Sequence, residues 1–175
     1  MRTVLLITLL VVGSVDAASQ QESSESRTQE IAISFNKVKH AVKEKNGVRT
    51  EKYKEVHSES VVKPNITDYA GVYEISDLGY AITIQVASDG QAQASGSEKG
   101  WSFRLEDARI EGALLSATKI YSDGAAEKVE GVFMTRTVRN SPTDSGVTTF
   151  GLGVVLHRPA EVNGVTYDKL FYQRR

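Results

Sequence analysis

The chain has 175 residues, no cysteine, and 21 basic against 22 acidic side chains, a formal net charge of -1. A near-neutral balance gives no overall electrostatic footprint for nucleic acid, and no long basic block marks an anionic membrane surface, so neither partner is expected. Without cysteine there is no thiol nucleophile, no acylated-cysteine anchor and no disulfide, and for an exported protein of this size the last tilts the origin towards a bacterial envelope or medium.

Met1-Arg2 is a short cationic start, Val4 to Val12 an almost uninterrupted apolar run, and Val15-Asp16-Ala17 ends in small residues before Ala18-Ser19. That order predicts a signal peptide over residues 1–17, cleaved after Ala17 or Ala18. The apolar run is about half the ~20 residues a helix needs to cross a bilayer, so no membrane span is expected after cleavage. A secreted or periplasmic protein follows, with roughly 155 residues left for one domain.

Residues 18–27 are dominated by Ser, Glu and Gln and offer little to offset the entropy of ordering, so disorder is expected there. Ile31, Phe35, Val38 and Val42 then recur at intervals of four, three and four. That spacing places them on one helical stripe and predicts a helix over 28–46. Ser26 and Gln29 have capping-box spacing, Lys43 and Lys45 fall in the last turn, and Asn46-Gly47 supplies a stop. A strand is the rival, since Ile31, Ile33 and Phe35 also alternate, but the alternation fails at Lys37. Residues 47–67, rich in Lys and Glu, are expected to form a polar arm or linker. Asn65-Ile66-Thr67 fits a glycosylation sequon, which matters only in a eukaryotic source.

From residue 68 to the C-terminus the period becomes two. Ile82, Ile84 and Val86 alternate with Thr83 and Gln85, and Trp101, Phe103 and Leu105 with Ser102 and Arg104; Val165, Tyr167 and Phe171 do the same near the end. Turn signals at Ser88-Asp89-Gly90, Lys99-Gly100, Glu111-Gly112, Ser122-Asp123-Gly124, Asn140 to Gly146 and Asn163-Gly164 divide the region. The predicted strands are 70–76, 80–87, 91–97, 101–110, 113–121, 128–139, 147–157 and 165–174. Short connections make a meander the default, and about eight twisted strands in a meander can close on themselves. The expected fold is therefore mainly β, an antiparallel up-and-down barrel over 68–175 with an N-terminal helix; an open β-sandwich is the alternative.

Gly71-Val72-Tyr73, on the first strand of this meander, resembles the Gly-x-Trp signature of the lipocalin and calycin families, with tyrosine in place of tryptophan. The resemblance covers Asp68 to Arg174. It implies binding of a small apolar molecule inside the barrel, or inhibition of an enzyme by a protruding arm, with a basic residue near the last strand, Arg174 or Arg175, packed on Tyr73. The chain departs from the family in its missing disulfide cysteines, shorter strands and long N-terminal arm.

Candidate chemistry is sparse. His40, His57 and His157 lack metal-ligand spacing, no serine has a Gly-x-Ser-x-Gly context, and Asp89 and Asp123 sit in tight turns rather than calcium loops. No enzyme activity, metal or cofactor is expected. Arg136 to Gly146 is a long hairpin loop flanked by Arg136 and Arg139 on one strand face, and with Arg158 on the next strand these form a candidate carboxylate or phosphate cluster. Pairing with Glu127, Glu130 or Asp144 is the plainer alternative. Trp101, Phe103, Phe133, Phe150, Tyr167 and Phe171 are candidate pocket-lining aromatics, or else fill the core. The leading expectation is a non-enzymatic barrel binding a small apolar or amphipathic ligand, with the aromatic set inside. The alternative is a protein-interaction or inhibitor module that uses the N-terminal arm on an unidentified partner.

Overall fold

A computed structural model of the chain describes residues 16–98, 100–140, 146–157 and 171–175. Residues 1–15 of the expected signal peptide 1–17, residues 141–145 of the expected Arg136 to Gly146 loop, and the candidates Arg158 and Tyr167 lie outside the described residues.

Eight strands form the barrel: β3 (Gly71–Ile75), β4 (Tyr80–Val86), β5 (Ala92–Glu98), β6 (Trp101–Glu111), β7 (Leu114–Tyr121), β8 (Ala126–Arg139), β9 (Val147–His157) and β10 (Phe171–Arg174). Each pairs antiparallel with its sequence neighbour, and β10 closes the ring on β3 through Gln173 opposite Glu74 and Arg174 opposite Tyr73. The expected up-and-down barrel is present, and closure removes its sheet edges.

Alternation decides what fills it. Tyr73, Ile82, Ile84, Phe103, Leu105, Leu115, Val129, Phe133, Val154 and Tyr172 share one buried cluster. Phe133 is the hub, with Tyr69 stacked on it at 4.2 Å between ring centroids and Tyr73 tilted at 5.8 Å. At Gly96 the ring of Phe103 and the carbonyl of Ala81 occupy the place a Cβ would take, so a close approach requires glycine there. A bulge in β6 between Glu106 and Arg109, with Asp107 at φ 52°, bends that strand round the wall.

The closure has a specific cap. A 3-10 turn, Ile66–Tyr69, leads into Gly71, and the Arg174 guanidinium donates from Nη1 to Asp68 O at 3.0 Å and from Nη2 to Ala70 O at 2.9 Å. Its Nε lies 3.0 Å from where a Cβ on Gly71 would sit, so the arginine crosses the glycine and reaches the carbonyls behind it.

Before the barrel the chain departs from expectation. The helix α1 spans Asp16–Ser34, so residues 18–27, expected to be disordered, are helical, and residues 37–45, expected to be helical, form strand β1 (Lys37–Lys45). The expected arm is strand β2 (Val48–Ser60). Asn46 and Gly47 have φ of 53° and 73°, the left-handed pair of a type I′ hairpin turn rather than a helix stop. The apolar spacing spans two elements. Ile31 and Phe35 pack with Leu114, Val132, Met134 and Val155 on the barrel's outer wall, whereas Val38 and Val42 lie on β1 and are 66% and 50% exposed. Arg27 fastens the helix, donating from Nε and Nη2 to Glu130 Oε2 at 3.2 and 3.1 Å and from Nη1 to Glu30 at 2.8 Å. Good helix formers such as Glu, Gln and Ala then extend a segment anchored by packing at its C-terminal end.

The β1–β2 hairpin joins the barrel through β8, whose first half pairs with β7 and whose second half pairs with β2. The change of partner falls at Phe133, whose N–H donates to Ala113 O and whose carbonyl accepts from Val61 N, each at 2.9 Å. Strands β1, β2 and the far halves of β8 and β9 thus make a sheet that overhangs the barrel. Lysines along β1 protect its unpaired edge against pairing with another chain.

Candidate functional site

Two arrangements carry chemistry. The first is a polar cluster inside the barrel. In β7 the inward positions are Leu115, Ala117, Lys119 and Tyr121, so a lysine occupies a core position. Lys119 Nζ lies 2.7 Å from Glu98 Oε1, the side chains being 5% and 16% exposed, and 4.3 Å from the Phe103 ring centroid. Tyr121 OH is 3.1 Å from Glu98 Oε1 and 3.0 Å from Glu127 Oε1, and Tyr172 OH donates to Glu98 Oε2 at 2.9 Å. Burial acts to raise the Glu98 pKa, but Lys119 and the two hydroxyls outweigh it and hold the carboxyl below its ordinary value. Both carboxylate oxygens therefore have donors. The cluster stabilises a buried charge rather than leaving a base free to take a proton.

The tyrosines shift the other way. Burial pushes Tyr73 up to about 12, and burial followed by the Glu98 charge raises Tyr121 and Tyr172 further. A folded-state pKa above the unfolded one contributes stability that is complete below the unfolded value and lost as pH rises through the folded value. The window here begins near pH 10 and extends to about pH 12 for Tyr73. Titration followed by tyrosinate absorbance should show a late cooperative phase coinciding with loss of β-sheet circular dichroism. A single non-cooperative ionisation of all seven tyrosines before unfolding would contradict this placement.

The second arrangement is a groove of about 650 Å³ outside the barrel wall, between the overhanging sheet and strands β3 and β10. The overhang contributes Lys54 and Val56 from β2, Arg136 and Val138 from β8 and Phe150 from β9; Phe171 and Glu74 line the opposite side. Phe150 and Phe171 meet edge to face at 6.4 Å, and the Arg136 guanidinium carbon lies 5.6 Å from the Phe171 ring centroid. A bulge between Met134 and Arg136 turns the overhang relative to the wall.

The predicted site residues separate accordingly. Phe103 and Phe133 are buried in the core at 4% and 0% exposure, and Trp101 is 51% exposed at the start of β6, so the aromatic set does not lie together inside the barrel. Phe150 and Phe171 are outside it, with Arg136. Arg136 and Arg139, expected on one strand face, are on opposite faces, since a spacing of three in a strand reverses the side. Arg139 Nη1 faces Glu55 at 3.9 Å, and Glu130 pairs with Arg27 instead of either arginine. His40 and His57 lie beside Glu51 and Glu59 at 3.2 and 2.9 Å, and no metal-holding group of three or more ligands occurs among the described residues.

The sequence reading missed Glu98, Lys119, Tyr121 and Tyr172. The available signal was parity: Lys119 shares its face with Leu115, and Glu98 shares its face with Ala94. It also missed the hairpin's charge segregation. The register places Ala41 opposite Lys52, Lys39 opposite Lys54 and Lys43 opposite Thr50, so Lys39, Lys43, Lys45, Lys52 and Lys54 share the face that carries Val56 and Arg136, while Glu51 and Glu55 take the other. Comparison of the chain with protein-family models, curated proteins and solved structures finds no match.

Proposed function

We propose that the chain is an exported, non-enzymatic barrel that binds a small apolar or amphipathic ligand in the groove outside the barrel wall. The observation that carries this reading is the division of apolar surface. The interior is packed by its own side chains, while Phe150, Phe171, Val56 and Val138 line a groove of about 650 Å³, within the range of small-molecule sites. Kinship with lipocalin-type barrels is part of the proposal, supported by the closed eight-strand meander that starts at Gly71-Val72-Tyr73 and by Arg174 opposite Tyr73 on the last strand, although Arg174 crosses Gly71 to the carbonyls of Asp68 and Ala70 and does not stack on the tyrosine ring. The cationic and apolar start of the chain supports export.

A neutral apolar fluorophore, N-phenyl-1-naphthylamine, should bind saturably, and Phe150→Ala should weaken it about 5- to 30-fold through lost apolar contact. Absence of saturable binding, or indifference to Phe150→Ala, would count against the groove. A protein-interaction module is the second reading, favoured by the projecting hairpin with Val38, Val42 and Val48 exposed.

A further inference from the structure

Resting on the ligand-binding reading, we propose that the groove takes amphiphiles ending in a carboxylate, and that Arg136 is the residue that grips the carboxylate.

The geometry around Arg136 is incomplete for a cation. Its Nε is buried and has no hydrogen-bond partner among the described residues, and its guanidinium rests on the Phe171 ring. Burial pulls its pKa down, with no carboxylate among the described residues acting against that. A half-buried guanidinium with an unpartnered Nε gains from an anion, and its planar fork of donors matches a carboxylate in two parallel hydrogen bonds.

The nearby acidic groups among the described residues are otherwise placed. Glu74 accepts from Ser76 Oγ at 3.3 Å and lies 3.9 Å from Arg175 Nε, and Asp77 is an exposed residue of the lining. Glu55 is on the opposite face of β2, opposite Arg139. On the Arg136 face the run of lysines ends at Lys54 in the groove itself, with no acidic residue of the hairpin interleaved. A one-signed strip of this kind raises the local concentration of anions and steers them towards its end. The near-neutral total charge hides it, because the hairpin's acids are on its other side.

The rest of the groove sets the other half of the ligand. Phe150, Phe171 and Val138 form an apolar strip beside Arg136, and Glu74, Ser76, Asp77 and Gln173 line the groove away from it. A charged head at Arg136 and an apolar tail along that strip describes a fatty or aryl-alkyl carboxylate, whereas an inorganic anion would leave the apolar wall unused.

Dansyl-undecanoate and its methyl ester, titrated into the purified full chain, separate the two halves. The acid should bind one-to-one and at least about 10-fold more tightly than the ester, and Arg136→Gln should weaken the acid about 10- to 100-fold while leaving the ester almost unchanged. Lys54→Glu, at an exposed position, keeps the test open if Arg136→Gln fails to fold; it should weaken the acid and spare the ester. Equal binding of acid and ester, both weakened by Phe150→Ala, overturns carboxylate recognition and leaves the groove standing. Binding of neither probe overturns both.

Discussion

Replacing Glu98 with alanine is expected to cost about 3–5 kcal/mol of folding stability, because it leaves a charged lysine inside the barrel without its carboxylate. Lys119 is 5% exposed and its amine lies 2.7 Å from Glu98, so water cannot replace the lost partner without opening the core. Tyr121 and Tyr172 also lose an acceptor each. The double variant Glu98→Gln, Lys119→Met should recover most of the loss, since removing both charges removes the uncompensated one as well. Urea unfolding at neutral pH, with an unchanged m-value, measures both. A loss under about 1 kcal/mol for Glu98→Ala, the value of a surface pair, would show that the cluster is solvated. Acid should expose the same coupling. The Glu98 pKa is lowered on folding, so its contribution is complete above the ordinary carboxylate value of 4.5 and disappears as pH falls through the lower folded value. The stability gap between the wild type and Glu98→Gln should close in that acid range.

Phe133→Ala is the second large effect, with about 3–5 kcal/mol expected from lost apolar burial and the cavity left behind. The ring is fully buried, stacks on Tyr69 at 4.2 Å and touches Tyr73, so its removal loosens the core beside the Ile66–Tyr69 turn. It also sits where β8 exchanges β7 for β2. Tyr69 OH donates to Val61 O at 2.7 Å and accepts from Lys63 N at 2.9 Å, which links the same ring pair to the end of the hairpin. Near-ultraviolet circular dichroism and denaturant midpoints should fall together for Phe133→Ala, while Trp101→Ala, at an exposed position, should change the stability by less than about 0.5 kcal/mol. Comparable losses for the two substitutions would reverse the assignment of core and surface.

The barrel was legible because its strands carry both signals at once. Ile82 and Ile84 or Phe103 and Leu105 alternate with polar residues, and glycine-containing turns separate the runs, so strand positions and neighbour order followed together. The hairpin was not legible, for a physical reason. Ile31 and Phe35 end a helix, Val38 and Val42 belong to a strand, and their shared spacing fits a helical stripe across the boundary. Asn46-Gly47 ends helices and turns hairpins alike, and a strand whose one face is lysine and whose other face mixes valine with glutamate shows no apolar alternation. At the site, Arg136 was recognisable as a long cation beside a hairpin, but its isolation from Arg139 follows only from strand parity. Lys119 was marked only by its parity with Leu115, against which composition assigns lysine to the surface; only the closed barrel provides an inside partner, Glu98, to make its burial tolerable.

The barrel interior is packed by its own side chains, and the proposed ligand site lies outside the wall. Isotope-filtered NMR of the protein with a bound alkyl carboxylate is the most direct measurement of that division. Cross-peaks from the alkyl chain to Phe150, Phe171 and Val138 are the predicted result. Cross-peaks to Ile82, Phe103 and Leu115 would place the ligand within the barrel and contradict it.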